Sequence, residues 1–181
     1  MNIRFSGFGG QGIILAGFIL GSAAVIDKKN AIQTQSYGSE SRGGACRSDV
    51  IISKEDINEL YAPEIDVLVS MSQSAFEKYF AGLKKNGILL IDTDLVFPKE
   101  KDIKKLKCYG IPATDIAFKK FGRKIIGNMV MIGYTAAITN IVSKKSLKES
   151  IKNNVPKGTE ELNIKAFEEG YRLGLKEAKR K

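Results

Sequence analysis

One stretch near the start of the chain decides the fold: NIRFSGFGGQGIILAGFILGSAAVI, residues 2–26. Residues 2–6 are mostly apolar and predict a short strand. Residues 7–12 form a glycine-rich turn, and residues 13–26 run apolar with several small side chains, which predicts a helix packed closely on a sheet. This order of strand, glycine turn and helix is typical of an α/β domain with a Rossmann-like first turn.

The remaining sequence keeps alternating between strand and helix signals. Further strands are predicted at residues 30–35, 46–53, 65–71, 87–91 and 106–111, and further helices at residues 72–83, 113–121, 128–143, 145–153 and 159–178. This alternation predicts an α/β fold of three layers, with a mostly parallel sheet and helices on both faces. Because no repeat, low-complexity tract or clear linker interrupts it, we expect residues 1–181 to form a single domain.

The chain is basic, with 29 Lys and Arg against 20 Asp and Glu and a net charge of +9. A charge of this sign can indicate nucleic-acid binding. Here the lysines are scattered in short pairs and in a C-terminal tail, where cations suit the end of a helix. No aromatic-rich stretch accompanies them, so we expect no nucleic-acid partner.

The residue types limit the metal and redox chemistry of this chain. It has no His and two Cys, Cys46 and Cys108, without a C-x-x-C motif. An iron–sulfur cluster takes about four Cys ligands, so this chain cannot hold one by itself. The missing imidazoles argue against a zinc site, and we expect both Cys to be buried thiols.

No membrane segment is predicted. The longest apolar run, residues 13–26, is shorter than the ~18 residues of a membrane helix and is broken by Gly17, Gly21 and Ser22. No charged region precedes it, as one would in a secretory signal. We therefore expect a cytoplasmic protein with no membrane partner.

The glycine-rich turn is the first candidate binding site. Its sequence fits G-x-G-x-x-G between a strand and a helix, and the candidate ligand contacts are Gly7, Gly9, Gly10, Gln11 and Gly12. The missing side chains let backbone N–H groups approach a phosphate, and the helix N-terminus adds positive potential. The alternative is a tight turn in which glycine serves packing alone.

A nicotinamide dinucleotide is not expected at this turn. Such sites carry an acidic residue about twenty residues further on, at the end of the second strand, where it binds a ribose. Gln33, Thr34 and Gln35 occupy that strand end, and Asp27 precedes the strand at the end of the first helix. The turn is therefore predicted to suit phosphate but not NAD, and Asp27 is predicted to be a surface residue.

A second polar, glycine-rich loop follows the second strand. In a parallel sheet this loop lies at the same carboxyl edge as the glycine turn, where open α/β sheets bind ligands. Arg42 and Arg47 can pair with phosphate or carboxylate, Tyr37 can stack on a base, and Glu40 can orient Arg42. The candidate contacts are Gln35, Ser36, Tyr37, Gly38, Glu40, Arg42, Gly43, Gly44 and Arg47. The alternative is a connective surface loop with an internal ion pair between Glu40 and Arg42.

Two further polar residues stand at predicted helix starts. Gln73 follows a strand and can reach the same edge, and Asn128 opens an apolar helix. Both are candidate ligand contacts. The alternatives are a capping or solvent role for Gln73 and a capping role for Asn128, while Ser72 or Ser74 is predicted to cap the helix that includes Gln73.

Several blocks of this sequence resemble the gamma subunits of 2-oxoacid:ferredoxin oxidoreductases. The blocks keep that family's order and cover residues 7–17, 33–38, 42–44, 47–53, 71–75 and 127–131. The resemblance is nearest to the gamma subunit of the 2-oxoglutarate enzyme, and the pyruvate and branched-chain enzymes have related subunits. The sequence departs from the family at Ser39 and Ser41, where proline and alanine are usual, and Ser39 removes a restraint on φ.

The resemblance implies a multi-subunit enzyme that decarboxylates a 2-oxoacid oxidatively, forms an acyl-CoA and passes two electrons to ferredoxin. It implies that thiamine diphosphate, Mg²⁺ and the iron–sulfur clusters are held by alpha-, beta- and delta-type partner chains, through which ferredoxin is contacted. This chain would be inactive alone, would take part in binding coenzyme A (CoA) through its two glycine-rich loops, and could form a homodimer when isolated. The alternatives are a stand-alone nucleotide-binding α/β oxidoreductase and the gamma subunit of the pyruvate or branched-chain enzyme, since the sequence leaves the oxoacid open.

Overall fold

The computed structural model describes residues 1–37, 44–61, 64–104 and 106–179. In this part of the chain, strands and helices alternate from the N-terminus. The strands are β1 (Asn2–Phe8), β2 (Asn30–Ser36), β3 (Ala45–Ser53), β4 (Ile65–Ser70), β5 (Leu83–Asp92) and β6 (Lys107–Ile111). The α-helices are α1 (Ile13–Ile26), α2 (Gln73–Tyr79), α3 (Glu100–Ile103), α4 (Ala113–Phe121), α5 (Gly127–Thr139), α6 (Lys144–Asn154) and α7 (Glu160–Ala178).

The strands form one mixed sheet in the order β2-β3-β1-β4-β5-β6. The strands β1, β4, β5 and β6 run parallel to one another, whereas β3 is antiparallel to both β1 and β2. The predicted α/β class is confirmed, and β3 alone departs from the parallel arrangement. Its reversal follows from the chain length between β2 and β3, because a parallel crossover needs about a dozen residues or more and residues 37–44 are too few.

Helices cover both faces of this sheet, as predicted. The larger core lies on the face of α1 and includes Ile3, Phe5 and Val50 from the sheet together with α5 and α6. A smaller core lies on the opposite face, where Phe76 and Tyr79 of α2 pack on β4 and β5. The alternation of side chains along each strand supplies apolar groups to both layers.

Helix α5 is the centre of the larger core. Its residues from Gly127 to Ala136 are all buried, so this apolar helix is enclosed by the rest of the chain. It lies against α7 at glycines, since a Cβ atom at Gly170 would overlap the Val130 carbonyl oxygen and one at Gly133 would overlap the Phe167 carbonyl oxygen. The two helix backbones therefore approach one another directly.

The largest difference from the predicted elements lies between α2 and β5. We predicted a helix to residue 83 and a strand from residue 87. In the structure α2 ends at Tyr79, a short 3₁₀ turn follows, and β5 begins at Leu83. Leu83 pairs beside Ile65, and the register shifts before Ile88, so Gly87 lies in an irregular part of the strand. Contact of Leu83 with the smaller core outweighs the local helix signal.

Candidate functional site

The glycine turn lies at the carboxyl edge of the sheet, between β1 and α1. Gly10 and Gly12 adopt positive φ angles of 103° and 71°, which side chains rarely tolerate. The Gln11 N–H donates to the Phe8 carbonyl at 3.2 Å and closes the turn. A Cβ atom at Gly9 or Gly10 would meet nothing within 4 Å, so this part of the turn is open to a ligand.

The polar atoms of the Gln11 side chain are bonded within the protein and hold the turn. Its Oε1 accepts the Phe8 N–H at 2.9 Å, and its Nε2 donates to the Met71 carbonyl at 2.6 Å. A Cβ atom at Gly7 would overlap this Oε1, so the glycine makes room for the amide. The structure therefore gives Gly7 and Gln11 a positioning role through the end of β4.

Asn128 fixes the other side of the turn. Its Nδ2 donates to the Gly12 carbonyl at 3.1 Å, and its Oδ1 accepts the Met129 N–H at 2.8 Å. A Cβ atom at Gly12 would overlap this Nδ2. The alternative prediction, that Asn128 caps the helix, is wrong. Ile126 is the N-cap residue, and Asn128 already lies in the first turn of α5.

The backbone donors of the turn remain available. Within the described residues, the N–H groups of Gly9, Gly10 and Gly12 have no hydrogen-bond acceptor. The first turn of α1 follows, and its unpaired N–H groups add positive potential. These features fit an anion such as a phosphate.

A cavity of about 340 Å³ opens beside these donors. It lies between the turn and the ends of β4 and β5, and it is lined by Phe8, Gly10, Gln11, Met71, Leu95, Thr114, Lys124 and Ile125. Its lining is mostly apolar, and among the described residues that line it Lys124 is the one cation. A second cavity of about 240 Å³ lies on the other side of Ile125 and is lined in part by Gly12, Arg123, Asn128 and Asn163.

Lys124 and Thr114 were not singled out from the sequence. Thr114 is held by Asp92, whose fully buried carboxylate accepts the Thr114 N–H at 2.9 Å and its hydroxyl at 2.6 Å. Burial raises the pKa of Asp92 despite these hydrogen bonds. Asp92 directly follows a predicted strand, which could have drawn attention to it. Its partner Thr114 lies 22 residues further on, so the sequence did not connect the two.

The second glycine-rich loop is described only in part. Gly38, Glu40, Arg42 and Gly43 lie outside the described residues. Ser36 pairs with Arg47, and Arg47 pairs with Ser6 of β1, so the end of β2 lies at the same edge as the glycine turn, as expected. Gln35 is exposed at that end, Tyr37 is 65% exposed beyond it, and Gly44 precedes β3.

Arg47 does not reach the cavity beside the turn. Its Nε lies 3.3 Å from an Asp49 carboxylate oxygen, and its guanidinium lies over the Tyr79 ring at 5.5 Å from the centroid. Arg4 shares both partners, with its Nη2 at 3.0 Å from Asp49 and its guanidinium 5.3 Å from the Tyr79 centroid. These residues occupy the sheet face that α2 covers, away from α1.

Gln73 also lies outside the cavity. Its Nε2 donates to Glu77 at 2.8 Å, and its Oε1 accepts the Phe97 N–H at 2.8 Å. It thereby braces the segment after β5 against α2. The predicted cap at Ser72 is confirmed, since its hydroxyl accepts the Ala75 N–H at 3.3 Å.

Asp27 is committed to a structural role that excludes a ribose contact. Its carboxylate accepts hydrogen bonds from the hydroxyls of Ser143 and Ser146 at 2.7 and 2.5 Å and from the Ser143 N–H. It thus joins the end of α1 to the start of α6. Burial would raise the pKa of Asp27, but these hydrogen bonds hold it below its usual value.

Side chains that could bind a metal ion are dispersed over the described residues. Among them, no three His, Cys, Asp or Glu side chains come together in a way that could hold a metal ion. Cys46 is buried, and burial raises the pKa of its thiol. No helix in the same part of the chain is long and apolar enough to cross a bilayer.

Comparison with known proteins gives a consistent picture. Residues 2–173 match the family model described as pyruvate ferredoxin/flavodoxin oxidoreductase. The chain is 49% identical to the 2-oxoglutarate synthase subunit KorC of Methanocaldococcus jannaschii, over 94% of this chain and 92% of that protein. It is 34% identical to the pyruvate synthase subunit PorC of Methanothermobacter marburgensis, over 94% and 96% of the two chains.

A solved structure also matches over nearly the full length. The gamma subunit of keto/oxoacid ferredoxin oxidoreductase from Geobacter sulfurreducens shares 40% identity and superposes with a TM-score of 0.83. The match covers 97% of this chain and 98% of that one.

Proposed function

The chain belongs to the pyruvate ferredoxin/flavodoxin oxidoreductase family, and from this premise we propose that it is the gamma subunit of a 2-oxoglutarate:ferredoxin oxidoreductase. The complete enzyme would convert 2-oxoglutarate and CoA into succinyl-CoA and CO₂, with two electrons passed to ferredoxin. The choice of oxoacid rests on identity, which is 49% to a 2-oxoglutarate synthase subunit and 34% to a pyruvate synthase subunit of similar length.

An assay of the enzyme purified through a tag on this chain tests the oxoacid. We expect the highest kcat/KM for ferredoxin reduction with 2-oxoglutarate, and lower values with pyruvate and 2-oxoisovalerate. A preference for pyruvate or for the branched-chain acid would replace the proposal with the corresponding enzyme. An enzyme with no CoA-dependent activity on any oxoacid would remove the proposal altogether.

The proposed role of this chain is to bind part of CoA at the glycine turn. The observation that carries it is the set of unpaired N–H groups at Gly9, Gly10 and Gly12, next to open space and the start of α1. CoA carries phosphates that such donors recognise. Lys124 supplies a cation at the adjoining cavity, whose apolar lining suits the uncharged part of CoA.

Two substitutions at exposed lysines test this assignment. Lys124→Gln removes the cation beside the turn, whereas Lys101→Gln removes one near the amino edge of the sheet, where it lines a separate depression. We expect Lys124→Gln to raise the KM for CoA about tenfold with kcat little changed, since one charge-assisted contact contributes about 1.5 kcal/mol or more. Equal CoA KM values for both variants and the unmodified enzyme would place CoA elsewhere.

The remaining cofactors are assigned to partner chains. A chain with two Cys and no His lacks the ligands for an iron–sulfur cluster. We propose that alpha- and beta-type subunits hold thiamine diphosphate and Mg²⁺, and that a beta- or delta-type subunit holds the clusters through which ferredoxin is reduced. The chain alone should then show no oxoacid oxidation, and addition of the partner subunits should restore it.

A further inference from the structure

The glycine turn contributes to the lining of both cavities. Gly10 lines the cavity of about 340 Å³, and Gly12 lines the cavity of about 240 Å³. We call them the larger cavity and the smaller cavity. Ile125 lines both and stands between them. The unpaired N–H groups of the turn, which the proposed function assigns to phosphate, therefore lie where the two cavities meet.

The smaller cavity has a cation that can bind an anion. Arg123 lines this cavity, is exposed, and forms no ion pair with another described residue. Lys124, at the larger cavity, instead lies 5.4 Å from the centroid of the Phe118 ring. A guanidinium binds phosphate oxygens in pairs through its planar fork of N–H groups, whereas an ammonium acts as a point charge. Arg123 is therefore the better partner for a terminal phosphate.

The smaller cavity also has a buried hydrogen-bond acceptor. Asn163 lines it and is only 6% exposed. Its Nδ2 donates to the Thr159 carbonyl at 2.8 Å and to the Thr159 hydroxyl at 3.0 Å, which fixes the orientation of the amide. The Oδ1 atom accepts no hydrogen bond from another described residue. Because buried polar atoms are usually paired, this oxygen fits an N–H donor on a ligand.

Building on the CoA site proposed above, we infer that the two cavities hold opposite ends of CoA, with the adenosine and its 3′-phosphate in the smaller cavity and the pantetheine arm in the larger one. CoA has its diphosphate between these two ends, and the donors of the turn lie between the two cavities. Arg123 binds the 3′-phosphate, and Asn163 accepts from the adenine amino group. Arg123 is then a specificity-determining residue, because the 3′-phosphate distinguishes CoA from dephospho-CoA.

The lining of each cavity agrees with the end of CoA assigned to it. Leu15, Met129 and Leu162 give the smaller cavity apolar surfaces that suit a planar base. The larger cavity is mostly apolar, as an uncharged arm requires. The Thr114 hydroxyl there donates its proton to Asp92, so its oxygen can accept from an amide N–H of the arm.

Calorimetric titration of the purified holoenzyme with CoA and with dephospho-CoA tests this orientation, and it does not require that dephospho-CoA be turned over. Arg123→Gln should raise the Kd for CoA at least about tenfold and leave the Kd for dephospho-CoA unchanged. Arg123→Lys keeps the charge and should raise the Kd for CoA less than Arg123→Gln does. Lys124→Gln should raise both Kd values by a similar factor, since both ligands contain the diphosphate.

The outcomes separate this inference from the proposed function. If Lys124→Gln weakens both ligands, but Arg123→Gln weakens neither or weakens both equally, CoA binds at the turn in another orientation and the inference is overturned. If Lys124→Gln changes the affinity for neither ligand, the CoA site itself is misplaced and the inference falls with it.

A CoA analogue tests the contact with the base without any change to the protein. Hypoxanthine in place of adenine replaces the amino group with a carbonyl oxygen, which would face the Asn163 Oδ1 without a proton between them. The unmodified enzyme should bind this analogue at least about tenfold more weakly than CoA. Equal affinities would overturn the placement of the adenine at Asn163.

Discussion

Two amide side chains fix the glycine turn from opposite sides. Gln11 ties it to Met71 at the end of β4, and Asn128 ties Gly12 to the start of α5. Because the polar atoms of Gln11 are bonded within the protein, the ligand contacts proposed at the turn would fall to backbone N–H groups. The shape of that backbone therefore depends on side chains that a ligand need not touch.

Gln11→Met tests this dependence, because it removes both hydrogen bonds and keeps a similar shape. The Met71 carbonyl loses its partner in a buried place, which costs about 1 to 3 kcal/mol. The Phe8 N–H loses its partner in a partly buried place and costs less. Urea unfolding should show a loss of about 2 kcal/mol or more. The control, Gln73→Met, breaks exposed hydrogen bonds and should lose less than about 1 kcal/mol. Equal losses would mean that Gln11 has no positioning role.

Asp27 should make the stability of the chain depend on pH. The folded-state pKa of this carboxyl lies below its ordinary value of 3.8. Its contribution is therefore present above pH 3.8 and is lost as pH falls through the folded-state pKa. Asp27→Asn should reduce the free energy of unfolding by about 1 kcal/mol at pH 7, a modest amount because the group is partly solvated. The difference should shrink in strongly acidic buffer, and a difference that is constant with pH would contradict this role.

The sequence located the turn but not the roles of its residues. Glycine spacing is a local pattern, so the position of the turn could be predicted from it. The partners of Gln11 and Asn128 lie 60 and 116 residues away, and only the tertiary structure brings them together. The charge of Arg47 likewise predicted a phosphate contact. Asp49 and Tyr79 lie beside its guanidinium in the folded chain, and the sequence pattern does not reveal them.

Elements were predicted better than their directions. The bounds of α1 and α4 agree to the residue with the predicted helices, because local signals mark their ends. α1 is an apolar run between a glycine turn and Asp27, and α4 lies between Pro112 and Gly122. The direction of β3 depends on the short connection from β2, which the alternation of strands and helices does not reveal. The end of β2 and the start of β3 still lie beside the glycine turn, so the described ends of the second loop are at the expected edge for a different topological reason.

The close approach of α5 and α7 at Gly170 can be tested by adding one methyl group. Gly170→Ala introduces a methyl group that would overlap the Val130 carbonyl oxygen, which is backbone and cannot move aside alone. The helices would have to separate, and we expect a loss of about 2 to 4 kcal/mol in urea unfolding. The control, Gly21→Ala in α1, meets the Val50 side chain at 3.6 Å, an ordinary contact. It should be neutral or stabilising by about 1 kcal/mol from helix propensity, and a similar loss in both variants would contradict the close approach.

The last helix, α7, contributes side chains to the larger core. The larger core runs without interruption from Ile3 in β1 to Phe167 in α7. Lys120 of α4 adds an ion pair to Glu169 at 2.7 Å. Hydrogen bonds from Arg172 and Lys120 lower the pKa of Glu169 to about 2. The C-terminal helix therefore completes a core that the N-terminal strand begins, which is the arrangement expected if the chain folds as a single domain.

Truncation distinguishes a single domain from a separable C-terminal helix. Ending the chain after Thr159 removes α7 and exposes Val130 and Tyr134 of α5, which are fully buried in the full chain and lie against Gly170 and Gly174 of α7. Burial of side chains of this size contributes about 1.5 to 3 kcal/mol each. The truncation also removes the fully buried Ala166 and Phe167, so the total loss is comparable with the stability of an ordinary domain, about 5 to 15 kcal/mol. We expect no cooperative thermal transition for this truncation, whereas ending after Ala178 should leave Tm unchanged. A cooperative transition that survives the loss of α7 would show that the sheet and α1 to α6 form a domain of their own.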